Sequence, residues 1–219
     1  RSDRKIERWK NMARIALGQS KMVSRPFAGF LHVIVYIGFV VINIEVLEIV
    51  IDGLFGTHRV FQPLLGNTIY GFLIGTFEIL AFLVLVAVIL FWLRRNIVQL
   101  KRFMSKEMKG WPKSDGNLIL YFEIVLMSLF IVMNATDHTF QEANIGNPIS
   151  QFVGPWFSGY SLETLATIEH TAWWVHIIGI LIFLNYLYYS KHLHILLAFP
   201  NTFFANLGPK GQFNNLASV

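Results

Sequence analysis

Seven histidines are scattered along the 219 residues, and two of them interrupt long apolar runs. His32 and His176 lie inside such runs, His192 and His194 just behind the last run, and His58, His138 and His170 near the opposite ends. An ionisable ring in hydrocarbon is costly, which makes each a functional candidate by default. Two neutral imidazoles facing one another across a helical bundle form the bis-histidine seat of a b-type haem. Spacing separates the candidates. His194 follows His176 by eighteen residues. At ~100° per residue that is five turns, so a helix unbroken to Pro200 puts both rings on one face, about 27 Å apart. His192 then points about 160° away from His176. His32 follows Pro26 by six residues and His194 precedes Pro200 by six, so antiparallel helices bring both to the same border. Haem propionates there would find cations among Lys21, Arg25, Arg94, Arg95 and Lys191. The plainer reading of any single histidine is a hydrogen bond to a neighbouring helix. Zinc fits poorly, because the rings form no compact ligand motif. His138 and His170 read as polar loop residues.

The acids offer a second kind of chemistry. Glu45, Glu48 and Asp52 share a stripe of the first apolar run at i, i+3 and i+7, while Glu78 and Glu123 lie inside the second and third. Such groups serve proton uptake and release at a quinone site, or bond helices together; both readings are open. Gly71 and Gly75 form a GxxxG pattern expected to admit a close neighbouring helix. Cysteine is absent, which excludes disulfides, thiolate metal sites and iron–sulfur clusters held by these residues themselves.

These side chains need scaffolding, and the composition says which kind. With 54% hydrophobic residues the chain is too apolar for a soluble domain. The expected fold is an all-α integral membrane bundle of four transmembrane helices, at 27–51, 68–93, 118–134 and 162–190. Residues 1–25 carry eight Lys or Arg and 94–116 carry seven, whereas 53–67 carry only Arg59 and 135–162 none. Positive charge stays inside, so both termini are expected in the cytoplasm, at a bacterial inner membrane. The net charge of +5 is thereby explained by the membrane rather than by nucleic acid. Ile6, Trp9, Ala13 and Ala16 recur at helical spacing among basic residues, which suits either a short interfacial helix or a solvated anchor. The 135–162 segment, rich in Phe, Trp and Tyr, reads as an aromatic belt or as a lid. The division expected is a basic segment over 1–25, a membrane domain over 26–200 and an irregular connector over 201–219 with Gly208, Pro209 and Gly211.

Trp173–Asn201, with His176 and then Ser190-Lys191-His192-Leu193-His194 leading to Pro200-Asn201, resembles the last haem-binding helix of a known family. That family is the membrane cytochrome b of respiratory nitrate reductase gamma subunits and heterodisulfide reductases. The match extends to the N-terminal membrane part of bacterial (Fe–S)-binding proteins. The resemblance implies two stacked b haems linking a quinone to a cytoplasmic iron–sulfur chain. His32 and His194 would hold the inner haem and His176 the outer one. The family's second ligand on the first haem helix falls near Ile42 and Asn43 here, so His58, brought back by Gly53 and Gly56, is the expected substitute, with His138 and His170 as alternatives. The function expected is therefore a di-haem or mono-haem cytochrome passing electrons between membrane quinone and an iron–sulfur partner resembling heterodisulfide reductase, carried beyond Val219. The alternative is a haem-free membrane anchor that recruits a partner complex.

Overall fold

The computed structural model describes residues 3–22 and 24–208, and among these it contains helices and turns but no strand. In chain order the α-helices are α1 (Lys5–Met12), α2 (Pro26–Phe55), α3 (Phe61–Asn96), α4 (Trp111–Thr136), α5 (His138–Ala143), α6 (Ser150–Val153), α7 (Leu162–Leu187) and α8 (His194–Phe203). Four of them, α2, α3, α4 and α7, are long and apolar enough to cross a membrane, which is compatible with a multi-pass membrane protein.

Local signals account for the ends. Pro26 opens α2, where a missing N–H leaves nothing unpaired, and Gly56 closes it at a left-handed φ of 64°. The Ser161 hydroxyl accepts from the Thr164 N–H to start α7. α3 begins earlier than its apolar run because residues before Gly66 already coil; Gly66 bends the chain there with φ 73° and ψ 159°.

The four long helices pack in series, α2 on α3, α3 on α4 and α4 on α7, while α2 and α7 barely meet. α3 and α4 thus form the centre, where Ile74, Phe77, Ala81 and Phe130 are fully buried. Where α2 and α7 do approach, Gly53 lies against the Trp173 indole, and a methyl group on it would come within 2.7 Å of the ring. The starts of α2 and α4 and the finishes of α3 and α7 form what we call the basic end. The opposite end, with Glu48, Asp52, Glu78 and Asp137, is the acidic end.

The 135–162 segment folds into α5, α6 and a 3-10 turn at Gly154–Phe157. It buries Phe140 and leaves Phe152, Trp156 and Tyr160 exposed. Gly71 and Gly75 receive this segment rather than a helix, with Ile145, Gly146 and Pro148 against them. At the other end α1 packs on α8. Its most buried side chain is a charged one, Arg8, whose Nη1 donates to the carbonyls of Phe203 (3.0 Å) and Ala205 (2.9 Å) while Nη2 pairs with Asp3. Asn11 donates to the Thr202 carbonyl at 2.7 Å. α1 therefore caps the finish of α8, satisfying carbonyls that a helix terminus leaves open. The connector expected over 201–219 is helical to Phe203 and described to Gly208; Pro209, Gly211 and the rest of it lie outside the described residues.

Candidate functional site

At the basic end the fourth long helix does not run on to Pro200. α7 stops at Leu187, Lys191–Leu193 make one 3-10 turn, and α8 starts at His194. The cause is tertiary. Asp115 on α4 is 1% exposed and accepts from the Tyr186 hydroxyl at 2.6 Å and from the Lys191 N–H at 3.1 Å. The Ser190 hydroxyl accepts from the His192 N–H at 2.8 Å, an N-cap bond in mid-segment. These bonds displace the helical ladder. The five-turn phase expected between His176 and His194 is therefore lost, and His192 does not face away. Its ring centroid lies 5.6 Å from that of His194 and 5.5 Å from that of Phe183.

His32 on α2 completes the cluster, since electrostatic coupling joins it to both His192 and His194. Burial first, and then the neighbouring His194 and His32, hold the His192 pKa down at about 4, so this ring is neutral at pH 7. The His194 Nδ1 lies 2.9 Å from the Lys191 carbonyl. With the proton on that nitrogen, Nε2 keeps its lone pair, the arrangement of a metal-bound imidazole. The His32 Nδ1 is buried with no hydrogen-bond partner among the described residues. Such an orphan costs about 1–3 kcal/mol unless a bound group compensates it.

The expected cations divide sharply. Lys191 Nζ donates to the Pro112 carbonyl at 3.0 Å, and Arg95 Nη2 donates to Pro112 (2.9 Å) and Lys113 (3.0 Å). Arg25 is exposed at the start of α2. Arg94, over the Phe27 ring at 4.9 Å, keeps a buried Nη1 without a partner. No three ligating side chains come together as a metal-ion site among the described residues. A haem iron draws its remaining ligands from the macrocycle and asks two histidines of a protein in the bis-His case. His32 and His194, electrostatically coupled and contributed by two different segments, are the residue types such a group would need.

The other histidines are engaged elsewhere. His176 is 2% exposed, with Nδ1 3.0 Å from the Leu126 carbonyl on α4 and its ring 6.2 Å from Phe130. His58 places Nε2 at 3.3 Å from the Asp137 carboxylate, and that bond raises its pKa and occupies the ring nitrogen. His58 and His176 thus belong to different networks. His138 faces Glu142 at 3.5 Å, and His170 bonds back to the Ala166 carbonyl at 2.7 Å. Asn43 turns back to the Phe39 carbonyl of its own helix.

The acidic end is a closed network around Arg59, which is 8% exposed. Its Nε donates to Asp137 (2.9 Å), Nη2 to Asn134 (3.1 Å) and Nη1 to the Tyr70 hydroxyl (3.3 Å), and the guanidinium stacks on Phe140 at 3.9 Å. Tyr70 donates to Glu48, whose other oxygen accepts from the Phe61 N–H. Asn134 donates to Glu78, which also accepts from the N–H groups of Ile149 and Ser150. Asp52 accepts from Thr57, Arg59 and Val60 in the α2–α3 turn. Burial alone would raise Asp137, but the bond from His58 and the Arg59 charge hold it far below the usual carboxylate range. Of the three acids in the α2 stripe, Glu45 alone has an oxygen, Oε2, that is buried and unpartnered.

Sequence reasoning missed Asp115, Ser190 and the inclusion of His192, and it noted Arg59 only as a lone charge. Ser190 as a cap residue inside an apparent helix was the available signal for the first set. One arginine opposite several membrane acids was the signal for the second.

No family model and no solved structure matches the chain. It is 28% identical over 202 residues to the probable iron-sulfur-binding oxidoreductase FadF of Bacillus subtilis (strain 168), a stretch that is 91% of this chain and 27% of that protein. It is 22% identical over 224 residues to the EtfAB:quinone oxidoreductase of Syntrophomonas wolfei, covering 97% of this chain and 30% of that protein. The chain thus spans less than a third of the length of the curated relatives it matches.

Proposed function

We propose that this chain is the b-type cytochrome portion of a quinone-linked oxidoreductase, with His32 and His194 as the axial ligands of one haem at the basic end. The observation that carries this reading is the convergence of His32, His192 and His194 from two segments that otherwise barely touch. The names of the two relatives, one iron-sulfur-binding and one a quinone oxidoreductase, support an electron-transfer role with quinone on one side and an iron–sulfur partner on the other. Charge bias assigns the basic end to the cytoplasm, where that partner would meet it.

Bound haem supplies a reversible one-electron change at iron. The residues supply the rest. His194 is oriented by the Lys191 carbonyl, and its turn is fixed by Asp115 and Ser190. His192 stays neutral beside it and adds no charge to the site. At the acidic end Glu48 and Asp52 are occupied as helix caps, so the proton-exchanging role expected of the stripe falls to Glu45. The engagement of His58 by Asp137 favours a single haem over a pair, since it removes the partner expected for His176.

Haem quantitation and the reduced-minus-oxidised spectrum of the purified protein test this reading. One b haem per chain is expected, lost in His32→Ala and in His194→Ala but kept in His192→Ala. Full haem in both ligand variants would sink the assignment, and a wild-type protein with no haem would leave the anchor reading in its place.

A further inference from the structure

We infer that α1 and α8 form one amphipathic unit that lies in the headgroup region of an anionic bilayer at the basic end. α8 follows α7 through a single 3-10 turn, so it starts close to where one of the four helices long enough to cross a membrane stops. With 10 residues it is about 15 Å long, too short to cross by itself. None of its side chains is buried, although the segment is apolar: Leu196, Leu197, Phe199 and, at its end, Phe204 are exposed. At ~100° per residue these four share an arc of about 160°. The half-buried Ile195, Ala198 and Thr202 occupy the other side.

α1 is built to the same plan. Arg8 is on its buried side, while Ile6 and Trp9, within about 60° of each other, are on its exposed side. The Trp9 ring meets Phe203 at 5.3 Å and Phe203 meets Phe204 at 5.0 Å, so the two apolar faces adjoin. The last carbonyls of a helix ordinarily turn to water. Here Arg8 and Asn11 donate to those of Thr202, Phe203 and Ala205, so the end of α8 can leave water. Charge selects the occupant. Asp3 and Glu7 pair with Arg4 and Arg8, leaving Lys5, Lys10 and Arg14 exposed and without an ion pair among the described residues. An exposed Trp beside such cations on a short helix suits a segment lying on anionic lipid, whose surface potential attracts basic residues. A second copy seated symmetrically on this patch would set the same cations against each other.

The sequence has no cysteine, so a single introduced one carries a spin label at a known place. The full chain is labelled at Ile6→Cys, Leu197→Cys or Glu7→Cys in nanodiscs of neutral lipid and, separately, of anionic lipid. Electron paramagnetic resonance then compares collisions with oxygen, which enters lipid, and with a water-soluble nickel chelate. The labels at Ile6 and Leu197 should meet oxygen and avoid nickel, more so in anionic lipid, while the label at Glu7 meets nickel. Adding Lys10→Gln and Arg14→Gln should remove the difference between the two lipids with the melting temperature unchanged. Arg8→Gln should change the Ile6 and Leu197 signals together; a change at Ile6 alone would overturn the single unit. Nickel contact at both Ile6 and Leu197 would overturn the inference in favour of a solvated surface. Labels shielded from both reagents would overturn it in favour of a protein partner. Equal depth in the two lipids would overturn the recognition of anionic headgroups.

Discussion

The two ends of the bundle treat their buried polar side chains differently. At the acidic end Arg59, Asp137, Asn134, Tyr70, Glu78 and Glu48 satisfy one another and the starts of neighbouring helices, and Glu45 Oε2 is the exception. At the basic end a His32 nitrogen, an Arg94 nitrogen and an Arg95 nitrogen are buried without partners among the described residues. A buried polar group is tolerated when paired and costly when not. Closed polar networks are therefore architecture, and open ones mark where a ligand completes the structure. Histidines and acids inside apolar runs look alike in sequence, and only their partners separate these cases.

The comparison can be broken at either end. The largest stability effect is expected from Arg59→Ala, which takes the cation from Asp137 and a donor from Asn134; removing one partner of a buried pair costs about 3–5 kcal/mol. Thermal unfolding in detergent should show a large drop for it, whereas His32→Ala should lose haem with little loss of the apo fold. Equal destabilisation by the two would erase the distinction. Next comes Asp115→Asn, which weakens the bonds to Tyr186 and Lys191 that hold the histidine turn. A loss of about 1–3 kcal/mol is expected, with a broadened haem spectrum that a merely structural role would not produce. Gly53→Ala should cost about 1–3 kcal/mol by overpacking against Trp173, again by thermal unfolding, with haem content kept.

The smallest effect is a pH dependence at the acidic end. The folded-state pKa of His58 is raised by its bond to Asp137. Its stabilising contribution is then complete below about pH 6.5 and fades as pH rises through the folded-state value. The melting temperature of wild type should decline slightly across that window, and His58→Gln should flatten the decline. The depressed pKa of Asp137 acts in the reverse sense: its contribution is present above its unfolded value and is lost only in strong acid.

Much of the scaffold was legible because long apolar runs form long helices, and Pro26, Gly56 and Ser161 mark their ends in ordinary ways. That His32 and His194 lie at the same end of the bundle was also legible, from equal distances to flanking prolines. The route was partly wrong, since it assumed a helix continuous to Pro200. Tyr188 and Tyr189 look helical and apolar enough to continue, and the interruption comes from Asp115, more than seventy residues away in sequence. Period alone cannot see such a partner. Likewise the i, i+3, i+7 stripe placed Glu45, Glu48 and Asp52 together, but only the fold shows two of them capping the α2–α3 turn. His58 was singled out by position, whereas its carboxylate neighbour lies on the far side of α3 and α4 in the sequence.

The account rests on an open ligand position at the basic end, and chemical rescue addresses it most directly. A His32→Gly variant leaves a hole the size of an imidazole, so the difference spectrum can be recorded with and without added imidazole. The account predicts loss of the low-spin b-haem spectrum in the variant and its recovery on adding imidazole. A wild-type spectrum from His32→Gly without imidazole would contradict it.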